Sequence, residues 1–426
     1  MIRRILALSI TYRWVVVVLS VIAVAAGGFA LSRLPIDAVP DITNNQVQIN
    51  TVAPSLSPAE IEKQVTFPLE TALAGIPGLE GTRSLSRNGF SQVTAIFGDR
   101  TDIYFARQLV NERLIELRGA MPPGAEPRTG PITTGLGEIY MWAVEYGGKP
   151  ARAGLPGLQR DGSFLTPEGQ RLKTPVERGG YLRTVQDWIV RPQLKNVPGV
   201  AGIDSIGGYT KQYEVTPDPE KLVGLRVTFG DVVKAIEANN VSRGARYIER
   251  NGQGVVVRSA GRLESAAELE NVVVSTRGGV PVRVRDVATV SIGGETRTGS
   301  ASENGREVVI GTALMLIGAN SRTVAAAVDA RLAEIKSVLP PGVQVKPVLN
   351  RTQLVDATIK TVLRNLAEGA LLVIAVLFLL LGNLRAAVIT ACVIPLAMLL
   401  TALGMWQAQV SANLMSLGAL DFGLIV

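Results

Sequence analysis

The chain has 426 residues, of which 47% are hydrophobic and 19% are charged, and its mean hydropathy is +0.27. This balance is too apolar for an ordinary soluble protein and too charged for a plain bundle of membrane helices, so several domains of different character are expected. The net charge is +7, but acidic residues are spread throughout and no basic run with interleaved aromatic residues occurs, which argues against nucleic-acid binding.

The scarcity of two residue types limits the chemistry. The chain has one cysteine, Cys392, and no histidine, so an internal disulfide and a cysteine-based metal cluster are excluded. Any metal site must use carboxylates, amides, hydroxyls, carbonyls or methionine sulfur. Without histidine or a Walker lysine motif, no catalytic constellation is left, and the chain is not predicted to be an enzyme.

The first apolar segment has no charged residue from Trp14 to Ser32 and follows Arg3, Arg4 and Arg13. It is long enough to span a bilayer. No small-residue cleavage site follows it, so the pattern predicts an uncleaved membrane helix within residues 1–34 rather than a signal peptide. The basic residues place the N-terminus in the cytoplasm.

Two more spans are predicted at residues 359–384 and 386–405, joined by a short turn whose Arg385 marks a cytoplasmic loop. Pro395 lies inside the third span. A proline there is tolerated when neighbouring groups satisfy the backbone carbonyl that it leaves free.

Residues 406–412 are predicted to form a short outer loop with Trp406 at the interface, and residues 413–426 begin a fourth span that is too short to cross. We therefore expect the chain to be the N-terminal part of a larger membrane protein. One helix in and one helix back place residues 35–358 outside the cytoplasmic membrane.

The first part of this large loop has a βαββα pattern, which suits a ferredoxin-like unit. Ser57, Pro58 and Glu60 form an N-cap, a first-turn proline and a capping-box partner, and they start a helix that reaches about Ala74. The remaining elements are strands at 47–52, 81–85 and 91–97, and a helix at 102–118.

A second unit follows, and the Gly/Pro/Arg-rich stretch between Gly147 and Gly180 is predicted to be an exposed insertion in it. Residues 219–290 have shorter elements and are predicted to form a separate inserted subdomain. The elements of the second unit are strands at 138–145, 200–206 and 213–215 and a helix at 182–195, then a strand at 307–316 and a helix at 321–338. A last strand at 343–349 precedes the second span.

Several long strings, in this order, resemble the resistance-nodulation-division efflux permeases, and specifically their heavy-metal branch of the cobalt–zinc–cadmium type. The resemblance covers the whole chain. It is carried by LPIDAVPDITNNQVQI at 34–49, by residues 78–114, by GPITTGLGEIYMW at 130–142, by VQDWIVRPQLKNVPGV at 185–200 and by LMSLGALDFGLIV at 414–426.

The resemblance implies a homotrimer with twelve membrane helices per protomer, of which this chain holds helices one to three and part of four. The fold class is membrane α-helical plus periplasmic α+β, with ferredoxin-like porter modules and an inserted docking subdomain. The implied segments are 1–34 (helix one), 35–130 (first porter module), 131–212 and 291–342 (second porter module), 213–290 (docking subdomain), 343–358 (closing strand of the first module), 359–384, 386–405 and 413–426 (helices two to four).

The function that the resemblance implies is proton-driven antiport of divalent cations of the zinc, cobalt, cadmium or nickel class. The protein is expected in the bacterial inner membrane, with a periplasmic adaptor and an outer-membrane channel as partners. No permanently bound cofactor is expected, only the transported metal ion and protons. The alternatives are a multidrug or copper–silver exporter of the same family, or a truncated interaction protein that does not transport.

Asp421 is the first candidate site residue. A carboxylate in an apolar span is costly and is by default a functional hypothesis. Asp421, Phe422 and Gly423 resemble the start of the acidic pattern in the family's fourth helix, which implies that Asp421 relays protons. The alternative is an Asp that only fixes helix packing.

Glu138 and Asp187 are the candidate metal-path residues. Glu138 follows Gly135 and Gly137, which allow close backbone approach, and Asp187 lies on the predicted helix of the same module, where it could be nearby. Carboxylates suit hard or borderline divalent ions. The alternative is that both are surface acids in solvent or in salt bridges.

Methionine is also a possible ligand, because methionine pairs carry soft ions in the copper–silver branch. Met398, Met405 and Met415 lie in or near the third and fourth spans. Apolar packing is the commoner role of such residues and is the favoured interpretation here.

Overall fold

The computed structural model describes residues 9–34, 36–37, 43–117, 119–147, 151–152, 154–241, 243–250, 253–259, 261–297, 299–408 and 412–413. Asp421 and Met415 lie outside the described residues, as does all of the predicted 413–426 span except Asn413.

Three helices in the described part of the chain are long and apolar enough to cross a membrane. The first apolar helix is Arg13–Arg33, and its interior has no charged side chain. The second apolar helix is Arg351–Leu381, which begins eight residues earlier than predicted because Asn350 caps it directly after a strand. The oxygen of the Asn350 side chain accepts a hydrogen bond from the backbone N–H of Thr352 at 3.0 Å.

The third apolar helix has two parts, Leu384–Ala391 and Val393–Gln407, which meet at Cys392. The break precedes Pro395 by one turn. Proline has no N–H for the carbonyl of Ala391 and its ring crowds that carbonyl, so the helix changes geometry there. The helix continues to Gln407, so the predicted outer loop at 406–412 begins too early, and Trp406 belongs to the helix.

The first and third apolar helices pack together through small residues. Gly27 and Ala30 are buried on the first helix, and a Cβ atom placed on Gly27 would lie 2.6 Å from Cβ of Leu399. The rings of Phe29 and Trp406 meet edge to face with their centroids 6.0 Å apart. Small residues at such a crossing let two backbones approach closely, which is how helices gain packing energy in lipid.

The first sheet has four antiparallel strands in the spatial order Leu79–Arg87, Phe90–Phe97, Asn45–Val52, Glu126–Thr129. Alternate residues of Phe90–Phe97 are buried, as expected for a strand with one face on a core. The helix Ile103–Leu117 supplies apolar side chains to this core. The second helix of the module is Pro58–Ile61, continued by a π-helical turn Glu62–Thr66 and by Phe67–Leu73.

The second sheet contains the spatial order Val200–Ile206, Arg306–Met315, Glu138–Tyr146, Val343–Asn350, and a short strand Ala301–Glu303 also pairs with Arg306–Met315. Its core lies against two helical elements. These are Ser321–Ile335, and Pro175–Val185 continued by a π-helical turn Gln186–Val190 and by Arg191–Lys195. The two sheets therefore follow the same order of elements.

The pairing of Val343–Asn350 corrects one expectation. The sequence predicted that residues 343–358 close the first module, but this strand pairs with Glu138–Tyr146 in the second sheet. Val343 and Val345 pack into the second core, which fixes the strand there. Residues 351–358 belong to the second apolar helix rather than to a strand.

The predicted insertion between Gly147 and Gly180 is shorter than expected, since the helix predicted at 182–195 already begins at Pro175. Before that helix the chain forms a small antiparallel sheet of three two-residue strands. Phe164 of this sheet is fully buried, and its ring lies 4.5 Å from that of Tyr146 and 5.4 Å from that of Tyr181. The three strands are Gly157–Leu158, Phe164–Leu165 and Arg171–Leu172.

The segment between Val200–Ile206 and Arg306–Met315 contains a separate subdomain with two small apolar cores. The strands Lys211–Pro217 and Ala288–Gly294 pair antiparallel at its base. The helices between them are Pro219–Gly224, Phe229–Asn239, Ala266–Glu270 and Val284–Val287. Two further strand pairs are Arg243–Arg250 with Gln253–Ser259 and Val273–Arg277 with Val280–Arg283.

Gly27 gives a direct test of helix packing. We expect Gly27→Ala to lower stability by about 1–3 kcal/mol, because the added methyl overlaps Leu399 and the backbones cannot separate freely. The measurement is the thermal unfolding midpoint of the purified protein in detergent. Gly28→Ala is the matched control, since a Cβ there meets no atom within 4 Å. Equal midpoints for both variants would contradict the packing.

The capping box before Pro175 gives a pH-dependent test. Glu177 accepts hydrogen bonds from the backbone N–H groups of Thr174, at 2.9 Å, and Lys173, at 2.8 Å, and these bonds lower the pKa of its carboxyl. The contribution of Glu177 to folding stability is therefore present at pH values above the ordinary pKa of glutamate. It is lost as the pH falls through the lower pKa that the carboxyl has in the folded protein. We expect Glu177→Ala to cost about 1 kcal/mol at neutral pH.

The unfolding midpoints of wild type and Glu177→Ala should converge as the pH falls below about 4. A difference that stays constant from neutral pH to that range would contradict the role of the ionised carboxylate. Glu220→Ala is a useful comparison, because Glu220 also lies in the first turn of a helix. There the N-cap residue Asp218, rather than the glutamate, accepts the backbone N–H bonds of that turn.

Candidate functional site

Asp187 lies on the π-helical turn Gln186–Val190, which packs beside the second sheet. The turn forms one residue before Pro192, where the N–H of Arg191 bonds to the carbonyl of Gln186. Proline cannot donate the next helical bond, and a wider turn accommodates it. This local widening points Gln186 inward and leaves the neighbouring Asp187 side chain at the sheet edge, 21% exposed.

Gln186 anchors the turn to the sheet. It is fully buried, and its Oε1 accepts a hydrogen bond from Nε1 of Trp142 at 2.9 Å. Its Nε2 lies 3.3 Å from Oγ of Ser205. Both bonds satisfy a polar group that would be costly to bury alone. The anchor fixes the position of Asp187, because Ser205 also binds that carboxylate.

The Asp187 carboxylate already has three partners. Nε of Arg183 lies 2.6 Å from Oδ2, Oγ of Ser205 donates to Oδ1 at 2.8 Å, and Nη1 of Arg191 lies 3.8 Å from Oδ1. Arg183 also donates to the carbonyl of Gly207 at 3.0 Å. A metal ion at Asp187 would therefore have to displace arginine, which favours the salt-bridge alternative for this residue.

Glu138 differs from Asp187 in that its side chain is exposed rather than held by arginines. It is the first residue of its strand and is exposed. The carbonyl of the preceding Gly137 accepts a hydrogen bond from N–H of Met315 at 2.7 Å, and a Cβ at Gly137 would lie 1.9 Å from Oγ1 of Thr133. Gly137 is thus required for a close approach, whereas a Cβ at Gly135 would meet no atom within 4 Å. The Glu138 carboxylate faces solvent and is accessible to a cation.

The structure does not bring Glu138 and Asp187 together. Glu138 pairs with Leu314, whereas Ser205, which holds Asp187, pairs with Gly311 level with Trp142. Along the strand, Glu138 lies four residues, or about 13 Å, from Trp142, which is opposite the position of Ser205. Across the sheet, the strand Arg306–Met315 lies between Glu138 and Ser205. The two carboxylates cannot ligate one ion in this arrangement.

A cleft of about 330 Å³ lies beside Arg183 and Ser205, where the chain enters and leaves the inserted subdomain. Arg297 lines it and is engaged on two sides, because its guanidinium lies 4.2 Å from the ring of Tyr209 and it pairs with Glu307. Both arginines among the described residues that line the cleft are paired in this way, so these residues leave no free cation there to bind an anion.

A partly buried hydrogen bond joins the second sheet to the helix Ser321–Ile335. The hydroxyl of Tyr140 donates to the carboxylate of Asp329. Burial, with a smaller effect of Asp329, raises the pKa of Tyr140 well above its usual range, so the hydroxyl keeps its proton and the bond persists across physiological pH.

Within the described residues, no three carboxylates or cysteines lie close enough to hold a metal ion together. Met121 and Met315 serve packing, since Met121 lies against the first core and Met315 against the second. Sequence reasoning missed the contribution of Arg183, Gln186 and Ser205. The spacing of Arg183, Asp187 and Arg191 at four-residue intervals was the available signal.

With this architecture in place, the class of protein follows from comparison. Residues 5–426 match the AcrB/AcrD/AcrF family. The chain belongs to this family of resistance-nodulation-division efflux permeases, and within it to the heavy-metal branch.

Two curated relatives from Cupriavidus metallidurans are similar over the whole chain. The nickel and cobalt resistance protein CnrA is 55% identical over 431 residues, and the cobalt-zinc-cadmium resistance protein CzcA is 53% identical over 427 residues. The chain spans 40% of the first and 38% of the second. A crystal structure of a heavy metal efflux pump superposes with a TM-score of 0.81 at 33% identity, covering 98% of this chain and 39% of that one.

Asp187 and Glu138 should respond differently to neutral replacement. Asp187→Asn leaves Arg183 without a compensating charge, so we expect a loss of about 1–3 kcal/mol in unfolding free energy. Glu138→Gln removes an exposed charge and should stay within about 0.5 kcal/mol of wild type. The measurement is again the thermal midpoint in detergent. A larger loss for Glu138→Gln than for Asp187→Asn would contradict these assignments.

Proposed function

We propose that the protein containing this chain is an inner-membrane antiporter that exports divalent cations of the nickel, cobalt, zinc or cadmium class in exchange for protons. The carrying observation is whole-chain identity of 53–55% to proteins named for resistance to these metals. The three apolar helices supply membrane attachment. The low aromatic content, 5%, argues against the aromatic-lined pocket of a multidrug exporter.

The proposed topology has the N-terminus and the turn at Arg385 in the cytoplasm, and the two porter sheets in the periplasm. The positive-inside rule supports this orientation. A short parallel pairing of Ile36–Asp37 with Ala412–Asn413 supports it too, because it joins the segments after the first and third apolar helices on one side. The strand order of both sheets, with βαββαβ order along the chain, supports ferredoxin-like porter modules.

Glu138 is our preferred residue of the chain for the metal path, because its carboxylate is exposed at a strand end. Hard and borderline divalent cations bind such oxygens. Asp187 contributes by holding its helix to the sheet through Arg183 and Ser205. The transported ion is a substrate, and no resident cofactor is part of the proposal.

The segments 35–130, 131–212 with 291–342, and 213–290 take the roles of first porter module, second porter module and docking subdomain in this proposal, with the closing strand moved to the second module. The assembly is a homotrimer that works with a periplasmic adaptor and an outer-membrane channel. Asp421 carries protons in the fourth membrane helix, since a carboxylate in an apolar run is expected to have a function.

Asp421 gives the decisive test. Asp421→Asn in the full-length permease should abolish resistance to nickel, cobalt, zinc and cadmium, because an amide cannot take up and release a proton in this range. Growth of a metal-sensitive strain across metal concentrations measures this, and cross-linking measures the trimer, which should survive. Glu116→Gln, on an exposed loop helix, is the control. Wild-type resistance with Asp421→Asn would refute the relay.

A further inference from the structure

The second apolar helix carries an ion pair within its apolar stretch. Nε of Arg364 lies 2.8 Å from Oε1 of Glu368, four residues later, and the two side chains are 78% and 63% exposed on the surface of the chain. The helix has a mean hydropathy of 2.0 over its most apolar window. Two charges in such a helix are unexpected unless they have a use.

Their depth follows from the helix geometry. The helix ends at Leu381, where Gly382 takes a left-handed conformation with φ 63°, and Arg385 follows in the cytoplasmic turn. At about 1.5 Å per residue, Glu368 lies about 20 Å and Arg364 about 26 Å along the helix from Leu381. Both positions fall within the roughly 30 Å of a bilayer's hydrocarbon core.

The two side chains differ in what they can reach. Helical side chains lean toward the N-terminus, which is the outer end of this helix. Arg364 is long enough to extend its guanidinium to the outer interface while its methylene groups stay in the apolar layer. The Glu368 side chain is shorter and begins one turn deeper. Its carboxylate therefore connects to the polar interface through the guanidinium of Arg364.

We propose that Glu368 is a second proton-carrying carboxylate of the pump and that Arg364 is its positioning residue; this inference rests on the proposed proton coupling. The carboxylate takes one proton from periplasmic water and becomes neutral. The attraction to Arg364 is then lost, and the proton passes inward to an ionised carboxylate deeper in the membrane, which becomes neutral in turn. Glu368 returns to its anionic form and pairs with Arg364 again.

The charged groups on the elements that contact this helix lie away from Glu368. Lys360 is two turns further out, and Arg322 pairs with Asp356 at 2.8 Å near the outer end. Arg385 lies at the cytoplasmic end. The other charges on the contacting elements belong to the second sheet and the helix Ser321–Ile335, beyond the outer end of the apolar stretch: Glu138, Glu145, Asp329, Arg331 and Glu334. Among the described residues, Arg364 is thus the charge that faces Glu368.

The competing interpretation is that the pair only neutralises two charges so that the helix can enter the membrane. The two interpretations differ in the double variant Arg364→Gln/Glu368→Gln. If the pair is only a mutual neutralisation, removing both charges leaves the flux intact. If Glu368 carries protons, the double variant is as slow as Glu368→Gln alone.

The experiment uses the full-length permease in proteoliposomes and measures zinc-driven proton flux with a pH-sensitive dye. We expect Glu368→Gln to slow the flux at least about tenfold, since a proton carrier is removed, with the trimer intact. Glu368→Asp should keep flux within about threefold and move its pH profile to lower pH, because aspartate titrates below glutamate. Glu116→Gln is the control outside the membrane helices.

Wild-type flux and pH profile in Glu368→Gln, or restored flux in the double variant, would overturn the inference. If Glu368→Gln does not assemble, an unshifted pH profile in Glu368→Asp overturns it instead. If wild type shows no proton flux with zinc, nor with nickel, cobalt or cadmium in its place, the proposed antiport itself is refuted, and this result separates the two failures.

Discussion

The continuity of backbone at Asn350 is the constraint on which the rest of the structure depends. The edge strand of the second sheet ends at this residue and the second apolar helix begins at the next, with no loop between them. Arg351 donates to the carbonyl of Leu136 at 2.6 Å, and Arg322 pairs with Asp356 at 2.8 Å. The helix end is therefore fixed to the sheet by backbone and side chains together, and a shift of one must move the other.

Each of the two sheets is bonded to a neighbouring helix through a π-helical turn that precedes a proline. A proline follows a helical turn at Pro68 and again at Pro192, and each is preceded by a π-helical turn. In each π-helical turn one polar side chain points inward and bonds to the sheet. Thr66 bonds to Ser91 at 2.7 Å, and Gln186 bonds to Trp142. The widened turn is thus a means of anchoring a helix to a sheet.

Sequence patterns predicted the local elements well, because caps and alternation are local signals. Ser57 and Glu60 form the capping box that the sequence predicts, and the helix Ser321–Ile335 begins at the predicted residue. The helix start at Pro175 was missed, since Gly179 and Gly180 lower helix propensity and the stretch resembles a loop.

Long-range relations were harder to predict. A strand pattern at 343–349 specifies which face is apolar but not which sheet it joins, so its partner was assigned wrongly. The candidate site had the same difficulty: the sequence identified Glu138 and Asp187 as acids of one module, but their separation depends on strand register. The arginine partners of Asp187 follow from helical spacing, whereas the bond to Ser205 comes from another strand.

The carboxylates of Glu138, Asp187 and Glu368 differ in which groups compensate their negative charge. Glu138 is open to solvent, and a cation can bind there without breaking another contact. Asp187 is compensated by partners on a helix and a strand, and loss of its charge would leave Arg183 unpaired, which favours a structural role for this residue. Glu368 is compensated by one flexible arginine on a helix surface. A charge held by a single movable partner can be neutralised and restored at low cost, which is the property that a proton carrier requires and a metal ligand or a structural clasp does not.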